Sequence, residues 1–323
     1  MHKCLMIAVA TLVTLAGCGS GSATNGGAGG GGGSGGMGGA AGSGGAARTC
    51  ATDIDVGEVQ AFGMPTPMRT EGITFDALGN LFVSAIDNAA DDQLLSVTTA
   101  GTFEVAAEAA SILGLASDPR GIVAAGIATG ELLLIDPETG VVNTIASGLG
   151  SPNFVLVTPW DTILVSDDTP GEDTIDEVTW NGDVSTWVAG VPTPNGMVLS
   201  LDQRTLYVAT TFEEPGLWRV PVAQDGQPGT PDKWVSFDVG TTPDGVAIDS
   251  EGNVYVALNL AAQIARVDPD GNVTIVAEGV DTVASLAFGQ GEFDPCSIYA
   301  TSLFGTQLWR IGIGGTGSPR PTR

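Results

Sequence analysis

Histidine is all but missing from this sequence: the single His2 lies in the first residues, inside a segment that reads as a cleaved leader. A mature chain without imidazole cannot build a Ser-His-Asp or Cys-His nucleophile, and it cannot hold a metal through histidine. Basic residues are also scarce, 11 Lys and Arg against 37 Asp and Glu, for a net charge of -26. The clustered cations that phosphate binding requires are not there, so nucleic acid is excluded as a partner and cations are favoured. Helical periodicity is nowhere sustained, and the one long apolar run, near the start, is too short to span a bilayer.

That run belongs to MHKCLMIAVATLVTLAGC, a charged start followed by an apolar stretch that ends on small residues, and residues 1–17 read as a signal peptide. Leu15-Ala16-Gly17-Cys18 resembles the lipobox of bacterial lipoproteins, which implies that Cys18 is lipidated; an ordinary signal peptide cut elsewhere is the alternative. The expected location is the bacterial cell envelope, with the membrane touched only through the lipid. Gly19 after the cysteine resembles outer-membrane sorting, facing periplasm or exterior. Residues 18–47 form a linker of Gly, Ala and Ser; the stretch from Gly19 holds 16 of the 48 glycines and cannot pack a core. As a flexible coil it has an end-to-end distance of roughly 30 Å. Residues 48–315 form the folded domain, expected to be monomeric, and residues 316–323 a disordered tail.

Cysteine arithmetic follows from this processing. Cys4 leaves with the leader and Cys18 takes the lipid, so Cys50 and Cys296 are the thiols left to an exported domain. An oxidising compartment favours their pairing, with two separate thiols as the alternative.

The domain repeats itself six times. The units open at Glu71, Leu113, Asn153, Asn195, Asp244 and Ala284, with spacings of 42, 40, 42, 49 and 40 residues. Each carries an apolar alternating run, a polar turn, a second run such as Leu81-Phe82-Val83, a third such as Gln263-Ile264-Ala265-Arg266-Val267, and a fourth. Four short antiparallel strands at this period make the blade of a propeller. The expectation is an all-β, six-bladed β-propeller. An open ring would leave a strand edge and a hydrophobic blade face uncovered. The segment before the first unit, with "DIDVGEVQAF", therefore supplies the missing outer strand of blade six and brings Cys50 toward Cys296.

In such a ring the first strand of each blade lines the central axis, and the six opening residues meet at one level of the channel. Four are oxygen donors: Glu71, Asn153, Asn195 and Asp244. Two carboxylates and two amide carbonyls suit a hard cation, Ca²⁺ or another divalent ion. The competing reading is turn chemistry, since Asn-Gly and Asp-Gly are common turn dipeptides. Glu71 has little turn preference, and two carboxylates on one ring repel unless a cation neutralises them.

The phrases Glu71-Gly72, Pro152-Asn153, Pro194-Asn195-Gly196, Pro243-Asp244-Gly245 and the closing "SLAFGQGEFDPCSIYATSLFGTQLWRI" resemble the gluconolactonase, regucalcin and luciferin-regenerating enzyme family of calcium-dependent six-bladed propellers. The resemblance implies that Glu71, Asn195 and Asp244 are metal ligands and that Asn153 is a fourth ligand or a substrate contact. It also implies that Asp244 is the catalytic carboxylate, acting as base toward water or as nucleophile. Lactonase members carry Asp directly after the blade-three Asn, where this chain has Phe154. The expected activity is Ca²⁺-dependent hydrolysis of a small lactone or ester; a binding or scaffold propeller, with a structural metal or none, is the alternative. Asp76, Asp118 and Asp249 read as turn acceptors, the acidic run Asp167-Asp168 through Glu177 as a solvated loop with a second cation site as the alternative, and the six tryptophans as filling between blades rather than stacking on a sugar.

Overall fold

The computed structural model describes Cys50, residues 53–87 and residues 90–318; the leader, Cys18 and the linker lie outside the described residues. Among the described residues 24 strands form six four-stranded antiparallel sheets. Blade 1 runs Arg69–Phe75, Leu81–Ile86, Asp92–Val97 and Phe103–Ala109, and blade 2 runs Leu115–Asp118, Gly121–Gly126, Glu131–Ile135 and Val142–Ser147. Blade 3 is Val155–Val157, Ile163–Ser166, Thr174–Val178 and Val184–Ala189; blade 4 is Pro194–Leu199, Thr205–Thr210, Gly216–Pro221 and Asp232–Ser236. Blade 5 is Pro243–Ile248, Val254–Leu258, Gln263–Val267 and Val273–Glu278. Blade 6 takes three strands from the C-terminal end, Val283–Phe288, Ser297–Ser302 and Leu308–Gly312, and its outer strand from the N-terminal side, Val59–Phe62.

Alternating apolar residues on these strands bury both faces of each blade. The core therefore divides into six clusters, each shared by two neighbouring blades. Ile73, Phe75 and Leu95 of blade 1 pack on Phe293, Tyr299 and Leu308 of blade 6, which closes the ring. All six tryptophans sit in or against these inter-blade clusters; Trp187, for example, is buried between blades 3 and 4 beside Trp160. Asp76 and Asp249 accept backbone N–H groups across their turns, Asp76 from Leu78 and Asn80 at 2.8 Å and Asp249 from Glu251 and Asn253 at 2.9 Å. Asp118 accepts from the Arg120 amide at 3.0 Å in the same way.

The closing strand pairs Val59 with Ile311 and Phe62 with Leu308. Cys50 and Cys296 form a disulfide across the same seam, with Cα atoms 5.6 Å apart and 246 residues between them. In the chain-entropy account a loop of that size contributes roughly 5 kcal/mol. Arg310 adds a second fastener, donating to Asp294 at 2.6 Å and to Asp53. One boundary differs from the sequence expectation: Thr316 to Ser318, placed in a disordered tail, are tied to blade 5. Gly317 bridges to Asp249, the Ser250 N–H donates to the Thr316 carbonyl at 2.9 Å, and the Ser318 N–H donates to the Ile248 carbonyl at 3.0 Å.

Candidate metal centre

A register shift recurs at one place on the inner strands of blades 1, 4, 5 and 6. It falls between Thr70 and Ile73, Pro194 and Met197, Pro243 and Val246, and Val283 and Leu286. The two residues left unpaired by each shift are Glu71-Gly72, Asn195-Gly196, Asp244-Gly245 and Ala284-Ser285. An irregularity of this kind frees a residue from the ladder and re-aims its side chain. Hydroxyls on the second strands hold the backbone just after the ring residues: the Gly72 N–H donates to Ser84 Oγ at 2.7 Å, Phe154 to Ser166 Oγ at 3.2 Å in blade 3, where the inner pairing has no shift, and Ser285 to Thr301 Oγ1 at 3.0 Å. Two of those hydroxyls reach across to the next blade, Ser166 Oγ donating to the Asn195 carbonyl at 2.8 Å and Thr301 Oγ1 to the Glu71 carbonyl. Thr211 Oγ1 makes the same crossing to Pro243 O at 2.8 Å. The backbone at Glu71, Asn195 and Asp244 is thus held by the neighbouring blade.

The glycines after the ring residues have a different cause from the one turn chemistry offers. Gly72, Gly114, Gly196 and Gly245 are not among the residues with positive φ. Instead, a Cβ at Gly72 would lie 2.1 Å from the Leu113 carbonyl oxygen, at Gly114 2.2 Å from that of Asn153, at Gly196 2.4 Å from that of Asp244, and at Gly245 2.6 Å from Ser285 Cα. They are glycine because six inner strands converge on one axis and leave no room for a side chain there.

Glu71, Asn153, Asn195 and Asp244 are all buried, between 2% and 7% exposed. Leu113 and Ala284 occupy the remaining ring positions and are buried as well. Three oxygens of the polar four have no hydrogen-bond partner: Glu71 Oε2, Asn153 Oδ1 and Asn195 Oδ1. Each buried acceptor left so costs about 1–3 kcal/mol. The other ends of these groups are held. Asn195 Nδ2 donates to Thr211 Oγ1 at 3.0 Å and to Asp168 Oδ2 at 3.4 Å, and Asn259 Nδ2 donates to Asp244 Oδ2 at 3.1 Å.

Charge shows that these chain-distant residues face one interior. Burial pushes the Glu71 carboxyl well above its usual range, and the negative charges of Asp244 and Asp168 push it further, against the opposing pull of Arg69. Asp244 is pushed up to about 8, first by burial and then by Asp168, with hydrogen bonds from Asn259 and Asn195 acting the other way. Burial also raises Asp168, whose charged form is favoured by hydrogen bonds from the side chains of Asn153 and Asn195.

Asp168 corrects the sequence reading, which left it in a solvated loop. An ionised carboxylate only accepts hydrogen bonds, so it draws the N–H ends of both asparagine amides. Their Oδ1 atoms must then face away from it, and those are the atoms without partners. A signal was present in the sequence: "ILVSDD", "LYVATT" and "VYVALN" end on Asp168, Thr211 and Asn259 at one register of the second strand, and all three touch ring residues. Asp167 is likewise structural, accepting the Ser151 N–H at 2.7 Å.

The donor set fits a hard divalent cation. Two carboxylates bring formal charge, two amide carbonyls bring neutral oxygens, and three acceptors stand unsatisfied where an ion would satisfy them. Among the described residues no three of His, Cys, Asp and Glu gather into a metal-holding group.

Comparison with known proteins agrees with this architecture. Residues 69–302 match the family described as SMP-30/Gluconolactonase/LRE-like region. A gluconolactonase from Xanthomonas campestris superposes with a TM-score of 0.66 at 19% identity, over 83% of this chain and 97% of that one. Regucalcin from Agrobacterium tumefaciens, described as a calcium-binding protein, gives 0.65 at 22% identity over 80% of this chain and 93% of the other. At these identities the likeness establishes the fold alone. A 6-deoxy-6-sulfogluconolactonase from Pseudomonas putida is 37% identical over 81 residues, which span 24% of this chain and 28% of that relative.

Proposed function

Since the chain belongs to the SMP-30/gluconolactonase/LRE-like family, we propose that it is a divalent-cation-dependent hydrolase of lactones or related esters, with Ca²⁺ as the resident ion. The observation that carries this reading is the set of unsatisfied oxygens on Glu71, Asn153 and Asn195, which share an acidic interior with Asp244. The calcium binding of the regucalcin neighbour and the lactonase names of two relatives support it. Glu71, Asn153, Asn195 and Asp244 would hold the ion. When bound, a divalent cation supplies Lewis-acid polarisation of a substrate carbonyl and lowers the charge repulsion of the ring.

Asp244 is the catalytic carboxylate in this reading. Asn259 and Asn195 donate to this carboxylate and hold it in the ring interior, where it takes a proton from water. Water oxygen bonds to the carbonyl carbon, the ring C–O bond breaks, and the proton taken by Asp244 passes to the departing alkoxide, giving the hydroxy acid. Asn153 orients the substrate or completes the ligand set. We place the mature chain in the bacterial cell envelope, outer-membrane sorted, as a monomer anchored through lipid on Cys18.

Asp244→Asn tests the assignment. At saturating calcium the variant is expected to lose turnover on a panel of lactones and esters while still taking up the ion. Turnover retained within a few-fold of the parent would remove Asp244 from the chemistry, and loss of turnover without any calcium response in either protein would leave a metal-free propeller.

A further inference from the structure

Blades 4, 5 and 6 repeat one strained device at the end of the channel where the ring residues sit. Thr193, Thr242 and Thr282 have positive φ of 42°, 48° and 47° and stand two residues before Asn195, Asp244 and Ala284. A β-branched residue with positive φ is an outlier that persists only where the surroundings impose it. Here the surroundings are the loop leaving the second strand of the same blade. The carbonyls of Thr193, Thr242 and Thr282 accept the N–H groups of Thr211, Asn259 and Leu303 at 3.2, 3.1 and 2.9 Å. The threonine hydroxyls accept from the next residue along: Thr193 Oγ1 from Phe212 at 3.1 Å, Thr242 Oγ1 from Leu260 at 3.0 Å and Thr282 Oγ1 from Phe304 at 3.4 Å.

The three residues clamped in this way are large, apolar and half-exposed: Phe212 at 45%, Leu260 at 52% and Phe304 at 50%. Each follows a second-strand exit, and Thr211 and Asn259, the residues just before two of them, touch Asn195 and Asp244. They therefore stand over the same end of the ring as the metal centre, on three consecutive blades. The matching positions of blades 1, 2 and 3 are Asp87, Ala128 and Thr169, with Asp167, Asp168, Glu172 and Asp173 beside the last. At this register blades 4, 5 and 6 present clamped apolar residues, with Glu213 and Glu214 following Phe212, and the other half carries Asp87 and the acidic run Asp167 to Asp173. Scattered single exposed apolar residues carry no meaning, but three at one register, each held by a strained clamp beside a site, do.

Resting on the hydrolase reading above, we propose that Phe212, Leu260 and Phe304 form a preset apolar half-rim that receives the hydrocarbon part of the substrate. The chain then takes neutral lactones or esters bearing an alkyl or aryl substituent in preference to polyhydroxylated or anionic ones. Polyhydroxylated rings gain nothing from an apolar wall. Anionic lactones meet the acidic half of the mouth and the field of a chain with net charge -26.

The test measures chain-length dependence in two ways on the full, calcium-loaded chain. The first is KM and kcat for γ-lactones carrying methyl, butyl and hexyl groups, with gluconolactone and an anionic sugar lactone alongside. The second is calorimetric binding of 2-alkylcyclopentanones, ring ketones that cannot be hydrolysed. Affinity is expected to rise between about two- and four-fold per added methylene. Phe212→Ser, Leu260→Ser and Phe304→Ser should each flatten that rise, and Phe304→Leu should keep most of it. Leu78→Ser, an exposed position on a blade-1 turn at the opposite end of the strands, should leave it intact. Turnover with no chain-length dependence, or with dependence untouched by the rim variants, overturns the half-rim and leaves the hydrolase reading standing. Graded ketone binding without turnover of any lactone keeps the half-rim and overturns the hydrolase.

Discussion

Replacing Glu71 with glutamine takes one negative charge out of a buried ring that also holds Asp244 and feels Asp168. In calcium-free protein this is expected to stabilise the fold. Glutamine keeps a buried oxygen but removes the charge that burial, Asp244 and Asp168 all disfavour, a gain of about 1–3 kcal/mol where the carboxyl would be ionised. For a domain of this size that corresponds to a gain in melting temperature of roughly 2 to 12 °C. The sign depends on pH. A carboxyl raised on folding holds its proton in the native state where the unfolded chain has lost it, so native stability falls as pH rises through the window between the two values. With Asp244 pushed up to about 8, the calcium-free parent should lose stability from about pH 4 to about pH 8, and Glu71→Gln should lose less. Calcium inverts the ranking. At a hundred-fold excess over its dissociation constant the ion adds about 2.7 kcal/mol to the parent, roughly 5 to 11 °C, and should add nothing comparable to the variant. The assay is calorimetric melting of both proteins at pH 5 and pH 8, in chelator and in millimolar calcium. A variant less stable than the parent in chelator at pH 8, or equal calcium gains for both, would refute the reasoning.

Asp168→Asn should weaken calcium binding about ten-fold by titration calorimetry, because an amide no longer obliges Asn153 and Asn195 to turn their carbonyls toward the ion; its calcium-free melting temperature should not fall. Gly196→Ala puts a methyl 2.4 Å from the Asp244 carbonyl oxygen and should cost about 1–3 kcal/mol in denaturant melts with a parallel loss of calcium affinity. Cys50→Ser opens the seam between Val59–Phe62 and Leu308–Gly312 and should lower stability by up to roughly 5 kcal/mol, an effect that reductant reproduces in the parent.

The ring was readable because its period is long and its punctuation regular. Six openings at similar spacing, from Glu71 to Ala284, fixed the blade count, and the unpartnered segment before Arg69 had only one edge left to cover. That Glu71, Asn153, Asn195 and Asp244 share one register was equally legible, since the alignment of the repeats sets it. What escaped was whatever depends on contact between strands. Asp168 lies in an acidic run that by composition looks solvated, and only the end of the strand Ile163–Ser166 turns it toward Asn195. The glycines after the ring residues resemble turn residues in one dimension, yet they answer to crowding from the next blade. Thr193, Thr242 and Thr282 were invisible for the same reason: positive φ at threonine has no sequence signature, and it follows from hydrogen bonds to a loop about twenty residues away.

The most direct test of a four-armed site is a crystal grown from chelator-treated protein and soaked in calcium, with anomalous scattering measured at long wavelength. A single peak on the ring axis is expected, about 2.3–2.6 Å from oxygens of Glu71, Asn153, Asn195 and Asp244. No peak at millimolar calcium, or a peak that leaves the carbonyls of Asn153 and Asn195 unengaged, would contradict the account.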